Sequence, residues 1–240
     1  MALLDVRDVN VHFGGHHAVR DVDLEVDAGL ITGLIGPNGA GKTTTFNVIT
    51  GLQEPTSGRV LLDGEDLTDK APHQRARRGI ARTFQRLEVF GSLSAYENVL
   101  TAAEIHRSHA GGDHDPRRVA EEVLDRIGIR TVANDRVDAM PTGLARLVEL
   151  GRALATKPRV LLLDEPASGL DDAESDAFAE LLLELARDGM AILMVEHDVG
   201  LVMQVCEWIY VLDFGAILAS GTAADIQSNQ MVLDAYLGAG

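Results

Sequence analysis

The stretch ITGLIGPNGAGKTT, residues 31–44, constrains the fold of this chain more than any other. It opens on a compact apolar run that reads as a strand and passes through a glycine-rich turn. It then enters KTTTFNVITGL, where Phe46, Ile49 and Leu52 recur at helical spacing. The turn fits G-x-x-x-x-G-K-[ST] between a strand and a helix, the setting in which that pattern binds phosphate. Gly36, Gly39 and Gly41 let the backbone curl until successive N–H groups point inward, where a side chain would block an anion. Lys42 brings positive charge to the outer phosphates of a nucleoside triphosphate, and Thr43 offers a hydroxyl to Mg2+. The helix that follows turns its positive end toward the same anion.

Strands and helices alternate around this loop. Ahead of it lie LLDVRDV, NVHF and AVRDVDLEV, broken by GGHH and DAG, and RVLLDG (59–64) follows a PTSG turn. Beyond Pro158 come strand RVLLLDE, helix DAFAELLLELARDG, strand AILMVEH, helix VGLVMQVCEW, the segment IYVLDFGAILASG and a terminal helix near 223–237. VLLL and AILMV are nearly continuous apolar runs, as expected for strands of a parallel sheet buried on both faces. Between about 72 and 157, HQRARRGIAR, SAYENVLTAAEIHR, RRVAEEVLDRIG and GLARLVELGRALA all carry three- to four-residue apolar spacing. A helical stretch is therefore expected to interrupt the α/β core. SHAGGDHDP within it reads as an exposed loop, and the spacing of His106, His109 and His114 matches no metal-ligand pattern.

Composition narrows the function classes. The 240 residues, 46% of them hydrophobic, suit a globular chain of one large or two small domains. A formal net charge of −16 argues against non-specific binding to nucleic acid or to an anionic membrane. MALLDVRDVNVHF has neither the basic start nor the apolar run of a signal peptide, and no apolar stretch approaches the ~20 residues a membrane span needs. The expectation is a soluble, cytoplasmic protein that reaches a membrane only through a partner. The single cysteine, Cys206, sits in VMQVCEWIYVL and reads as a buried thiol in a reducing compartment.

Two strand ends carry further chemistry. VLLLDEP (160–166) ends in Asp164, suited to a Mg2+ contact beside Thr43, and Glu165, one residue further, where a carboxylate can polarise water for attack on a γ-phosphate. AILMVEHD ends in Glu196, His197 and Asp198. Parallel α/β sheets gather ligand chemistry at the carboxyl ends of their strands, so Asp164, Glu165 and His197 are expected to converge near the phosphate loop.

GPNGAGKTT, RTFQ (82–85), LLLDEPASGLD (161–171) and VEHD, in this order and spacing, resemble the nucleotide-binding subunit of an ABC transporter over practically the whole chain. The resemblance implies a P-loop NTPase of α/β class, with a RecA-like core, an antiparallel β subdomain and an inserted helical subdomain. In that reading residues 1–240 form one ATPase domain, in which 1–85 and 158–240 make the β subdomain and core and 86–157 the helical part. It implies ATP and Mg2+ as ligands, with Asn38, Gly39, Ala40, Gly41, Lys42, Thr43 and Thr44 around the phosphates, Phe13 stacked on adenine and Val19 beside it. Gln85 resembles the Q-loop residue that senses Mg2+ and the γ-phosphate, so the metal set is Thr43, Gln85 and Asp164. Glu165 resembles the catalytic base, His197 the switch histidine, and Asp171 the D-loop residue that crosses a dimer interface. The implied partners are a second ATPase subunit, integral membrane permease subunits and, indirectly, an extracytoplasmic solute-binding protein, with the chain held at the inner face of the membrane. Arg75, Arg77, Arg78, Arg82 and Arg86 are candidates for the face that receives the permease.

HFGGHHAVRDV, RRGIARTFQRLEVF and AADIQSNQMVLDAYLG further resemble the ATPases of branched-chain amino-acid importers, with urea and amide importers and the lipopolysaccharide-export ATPase as alternatives. A soluble nucleotide-gated interaction protein is a reading of another class. In the family each phosphate loop faces a partner's signature, usually Leu-Ser-Gly-Gly-Gln at the head of a helix. Here that place is taken by Met140, Pro141, Thr142, Gly143 and Leu144. Thr142 is expected to cap the helix and Gly143 to leave backbone open to a phosphate. Leu144 cannot replace the hydrogen bonds of glutamine.

Overall fold

The chain's computed structural model describes residues 2–110 and 115–237. Strands β1 (Leu4–Phe13) and β2 (His16–Val26) form an antiparallel hairpin, and β3 (Ile31–Ile35) then leaves for a second sheet. β4 (Ser57–Leu62) returns to pair antiparallel with β1 and carries the short β5 (Glu65–Asp66), giving the order β2-β1-β4-β5.

The second sheet adds β6 (Ile80–Arg82), β7 (Val160–Asp164), β8 (Ala191–Val195), β9 (Trp208–Asp213) and β10 (Ala216–Gly221), in the order β10-β9-β3-β8-β7-β6. All its pairings are parallel except the β9–β10 hairpin. Helices α1 (Lys42–Thr50), α6 (Asp172–Arg187) and α7 (Val199–Val205) follow β3, β7 and β8. This is the crossover order that parallel strands require.

Period-two alternation divides the apolar residues between the two faces of this sheet. Ile31, Ile35, Leu161, Leu163, Ile192 and Met194 point into one core with α6 and α7. Leu34, Val160, Leu162, Leu193 and Val195 point into the other, which continues through Val6, Val9, Val11, Val19 and Leu24 of the antiparallel sheet. Each fully buried side chain of this kind contributes about 1.5–3 kcal/mol. Helices α3 (Ala95–Ala110), α4 (Pro116–Arg126) and α5 (Thr142–Ala155) join the first core through Val99, Leu124, Val148 and Leu150. The helical stretch therefore shares one continuous apolar cluster with the sheet.

HQRARRGIAR does not form the single helix its spacing predicts. It divides into α2 (Pro72–Ala76) and the edge strand β6, because Gly79 turns the chain at φ 98° and Ile80 then pairs with Val160. The terminal helix likewise divides into α8 (Ala223–Gln227) and α9 (Gln230–Leu237). In SHAGGDHDP, Ser108–Ala110 complete α3 and Asp115 caps α4 by accepting from the Arg117 N–H, while residues 111–114 lie outside the described residues. Cys206 is buried, and burial pushes its thiol up to about 12, so it stays protonated and unreactive at neutral pH. Among the described residues, no helix is long and apolar enough to cross a membrane.

Candidate active site

The loop between β3 and α1 owes its shape to glycines. Gly36, Gly39 and Gly41 have φ of 149°, 81° and 107°. A Cβ at Gly36 would lie 2.0 Å from the Leu212 carbonyl oxygen, and one at Gly41 2.7 Å from that of Ala18. At Gly39 the space is open, so backbone conformation alone favours glycine there. Gly41 is the N-cap of α1 and brings no side chain to it, leaving first-turn N–H groups for an external acceptor. Asn38, Gly39 and Thr43 are exposed and Thr44 is half-buried, whereas the Ala40 side chain is buried and its N–H donates to the Pro37 oxygen at 3.2 Å. Lys42 is buried and folds back on the loop, its Nζ donating to the carbonyls of Gly36 (2.6 Å) and Pro37 (2.9 Å). Burial lowers its pKa, against the pull of Glu165 and Asp164.

At the carboxyl end of β7, Asp164 is buried and its Oδ2 accepts from Arg82 Nη2 at 2.7 Å. The guanidinium also donates from Nη1 to Asn47 Oδ1 at 2.6 Å and lies over the rings of Phe46 and Phe84, 5.3 and 4.9 Å from their centroids. Glu165 follows with φ 50°, the left-handed region that a non-glycine residue enters at a cost of about 1–3 kcal/mol. Its N–H donates to the Val195 oxygen at 2.8 Å, which locks the turn to β8. Glu165 Oε1 then receives Gln85 Nε2 at 2.9 Å and His197 Nε2 at 3.0 Å. The strand ends thus bring Gln85, Glu165 and His197 onto one oxygen.

Glu196 supports this arrangement from beneath. It is buried, its Oε1 accepting from Ala167 N at 2.8 Å and its Oε2 from His197 N at 2.9 Å. Asn47 was marked by no motif, Arg82 was expected on the surface that receives the permease, and Glu196 was expected only as one of the polar residues that end the AILMVEHD strand. The signal for Glu196 was its place before His197 at the end of a wholly apolar strand, where a charged residue needs a partner.

The remaining candidates divide. Phe13 ends β1 with its ring half exposed, opposite His16 and beside the stacked rings of His12 and His17. Val19 is fully buried in the core of the β1–β2 hairpin, paired with Val11, because the pleat turns it inward. Asp171 is exposed and caps α6, accepting from Glu174 N at 2.8 Å. Thr142 is not the cap of α5. Pro141 holds that place with no side-chain hydrogen bond, and Thr142 is the exposed first helical residue. Gly143 is buried, and a Cβ there would lie 2.9 Å from Leu170 Cδ2 and 3.2 Å from both Glu174 carboxylate oxygens.

The arginine cluster divides between interior and surface. Arg75 is 1% exposed and donates to the carbonyls of Lys70, Val48, Ile49 and Thr68, tying off the end of α1. With Arg82 held by Asp164, Arg77 and Arg86 are the members left exposed, and Arg78 pairs with Glu65 at 2.8 Å.

Sequence comparison places this site in a known family. The ABC transporter family profile matches residues 19–168. The chain is 37% identical to the high-affinity branched-chain amino acid transport ATP-binding protein BraF of Pseudomonas aeruginosa, over 98% of both chains. It is 40% identical to the corresponding protein LivG of Escherichia coli K12, again over 98% of both. The chain belongs to the ABC transporter family.

It is also 34% identical to the lipopolysaccharide export system ATP-binding protein LptB of Haemophilus influenzae, over 99% of this chain and 98% of that one. Its fold matches a nucleotide-free ATP-binding cassette from an ABC transporter with a TM-score of 0.89 at 28% identity, covering 98% of this chain and 99% of the other. It matches a dimeric, post-hydrolysis cassette bound to ADP and Pi with a TM-score of 0.81 at 26% identity, covering 92% and 98%. The chain is accordingly an ABC-type ATPase subunit of a transporter. The site fits the nucleotide such cassettes bind. The uncapped head of α1 supplies N–H donors, and Lys42 supplies a cation whose present acceptors are only loop carbonyls. For Mg2+ the donor set is all oxygen, the Thr43 hydroxyl, the Gln85 amide and the Asp164 carboxylate, which suits a hard cation.

Proposed function

We propose that the chain is the ATP-hydrolysing motor of an importer for branched-chain or other hydrophobic amino acids or related amides. The observation that carries the catalytic part is the convergence of Gln85 and His197 on Glu165 Oε1. Two donors keep that carboxylate aimed at the end of the sheet where Lys42 also lies, the arrangement expected of a base that takes a proton from attacking water. In this reading residues 38–44 hold the phosphates of ATP, Phe13 stacks on adenine and His197 contacts the γ-phosphate. Thr43, Gln85 and Asp164 would hold Mg2+, which would offset the negative charge that develops in the reaction. Residues 86–157 act as a helical subdomain against a core and β subdomain formed by 1–85 and 158–240.

Thr142, Gly143 and Asp171 would face the nucleotide of a second cassette, either a copy of this chain or a paralogue. Closing on ATP and opening after hydrolysis would then drive the permease subunits, fed by an extracytoplasmic solute-binding protein, with the chain at the inner face of the membrane. A groove of about 360 Å3 favours such docking: Leu52, Phe84 and Ile105 line it, all exposed apolar side chains. The amino-acid substrate rests on the likeness to BraF and LivG, and the LptB likeness sustains lipopolysaccharide export as the second reading.

Glu165→Gln should lower ATP hydrolysis by about 10²–10³-fold and trap an ATP-bound dimer visible by size exclusion. A variant that hydrolyses ATP at the wild-type rate removes Glu165 from the role. Deleting the gene should abolish uptake of labelled leucine or a related amino acid. Intact uptake with a loss of surface lipopolysaccharide would select the export reading.

A further inference from the structure

The segment that carries Gln85 is held by α5, at a place no sequence motif marked. Thr83 N–H makes the last bond to the sheet, at 2.9 Å from the Leu162 oxygen. Residues 84–88 are irregular, and backbone groups in such a segment need partners from elsewhere. Three side chains spaced three residues apart along α5 supply them. Glu149, only 5% exposed, accepts the N–H groups of both Phe84 and Glu88 on the same oxygen, Oε1, each at 3.2 Å. Arg146 donates to the Phe84 oxygen at 2.8 Å and the Gln85 oxygen at 2.6 Å, and meets Glu149 Oε2 at 3.3 Å. Arg152 donates to the Glu88 oxygen and lies over the Phe90 ring, 4.5 Å from its centroid.

We propose that Glu149 is a positioning residue for Gln85. By gathering two amides of the 84–88 segment on one buried oxygen it makes that segment ride on α5, so the helix whose head carries Thr142 and Gly143 sets how Gln85 meets Glu165. The inference rests on the reading of Gln85 and Glu165 as parts of the hydrolytic site. The amides of an irregular segment need an acceptor from another element, and a helix transmits displacement along its axis because its own bonds are internal. Movement at the head of α5 is therefore passed to Gln85 through Glu149, Arg146 and Arg152 together.

The test compares Glu149→Gln with Glu149→Leu in the full chain. Glutamine keeps a carbonyl oxygen where the two amides converge and loses only the charge; leucine keeps apolar volume and loses the acceptor. In the nucleotide-free protein, Glu149→Leu should raise amide hydrogen exchange at Phe84 and Glu88 by about tenfold or more while α1 amides keep wild-type rates. Its kcat for ATP should fall about tenfold with KM moving less than about twofold, and Glu149→Gln should stay within about threefold of wild type in both measurements. Wild-type exchange and kcat in Glu149→Leu would overturn the proposal. So would a glutamine variant as impaired as the leucine one, since charge rather than the acceptor oxygen would then matter. Should the leucine variant fail to fold, Glu149→Met takes its place with the same expected results. A wild-type chain without ATPase activity would sink the functional reading, while the exchange comparison would still decide whether Glu149 holds the loop.

Discussion

Two helix heads carry the nucleotide chemistry proposed for this chain, and they are built in opposite ways. The head of α1 is made by absence: Gly36, Gly39 and Gly41 at positive φ, no capping side chain and N–H groups left free, with Lys42 as the one charge brought in. The head of α5 is made by packing. Pro141 caps it without a side-chain bond, Gly143 lets Leu170 and Glu174 of the following segment press against it, and Gly169 lies where a Cβ would be 3.3 Å from Thr142 Cγ2. Both heads leave amides uncapped, but the charged side chain folded onto the first is Lys42 and the one packed beside Gly143 is Glu174. An anion at α1 meets a positive charge and the dipole together, while at α5 the dipole, worth typically 0.3–1 kcal/mol at a surface, is set against the Glu174 carboxylate beside Gly143.

Substitutions at the two heads should separate these constructions. Lys42→Ala removes the ammonium folded onto the α1 head and should cost at least about a hundredfold in ATP hydrolysis, read by steady-state phosphate release. A loss under tenfold would mean that backbone donors alone suffice there, and the contrast with α5 would disappear. Gly143→Ala forces aside the end of Leu170 and a carboxylate, both movable, so it should destabilise the fold by about 1 kcal/mol in a urea titration. No change in midpoint would show that Leu170 and Glu174 yield without cost and that packing does not shape the α5 head. Thr142→Ala should be the mildest, below about 0.5 kcal/mol in stability and below about twofold in ATPase rate, because the hydroxyl is exposed and caps nothing. A larger rate effect with unchanged stability would assign that hydroxyl a direct contact across a dimer.

The difference between the heads also tracks what could be read in advance. The α1 site is contiguous: its glycines, lysine and threonine sit within one strand–turn–helix, so spacing alone conveys the geometry. Glu165 and His197 were legible because parallel strands deliver their carboxyl ends to one edge. The α5 head was misread at Thr142 because a one-residue shift in where the helix begins turns a capping hydroxyl into an ordinary exposed one. The burial of Val19 was hidden for a similar reason, since the pleat decides which of two neighbouring residues faces the core. Arg75 and Arg82 looked like a basic surface, but long side chains bury their stems and find internal acceptors that local sequence does not show.

Local chemistry by itself determined the α/β class, the phosphate loop and the acidic and histidine strand ends. Each depends on residues adjacent in the chain and on backbone preferences that act over a few positions. Tertiary structure alone decided that Arg82 answers Asp164, that Glu196 braces His197 and Ala167, and that Glu149, Arg146 and Arg152 hold the loop of Gln85. Those pairings join residues far apart in sequence. They exist because a charge or an irregular backbone segment buried in the fold must find a partner wherever packing has placed one.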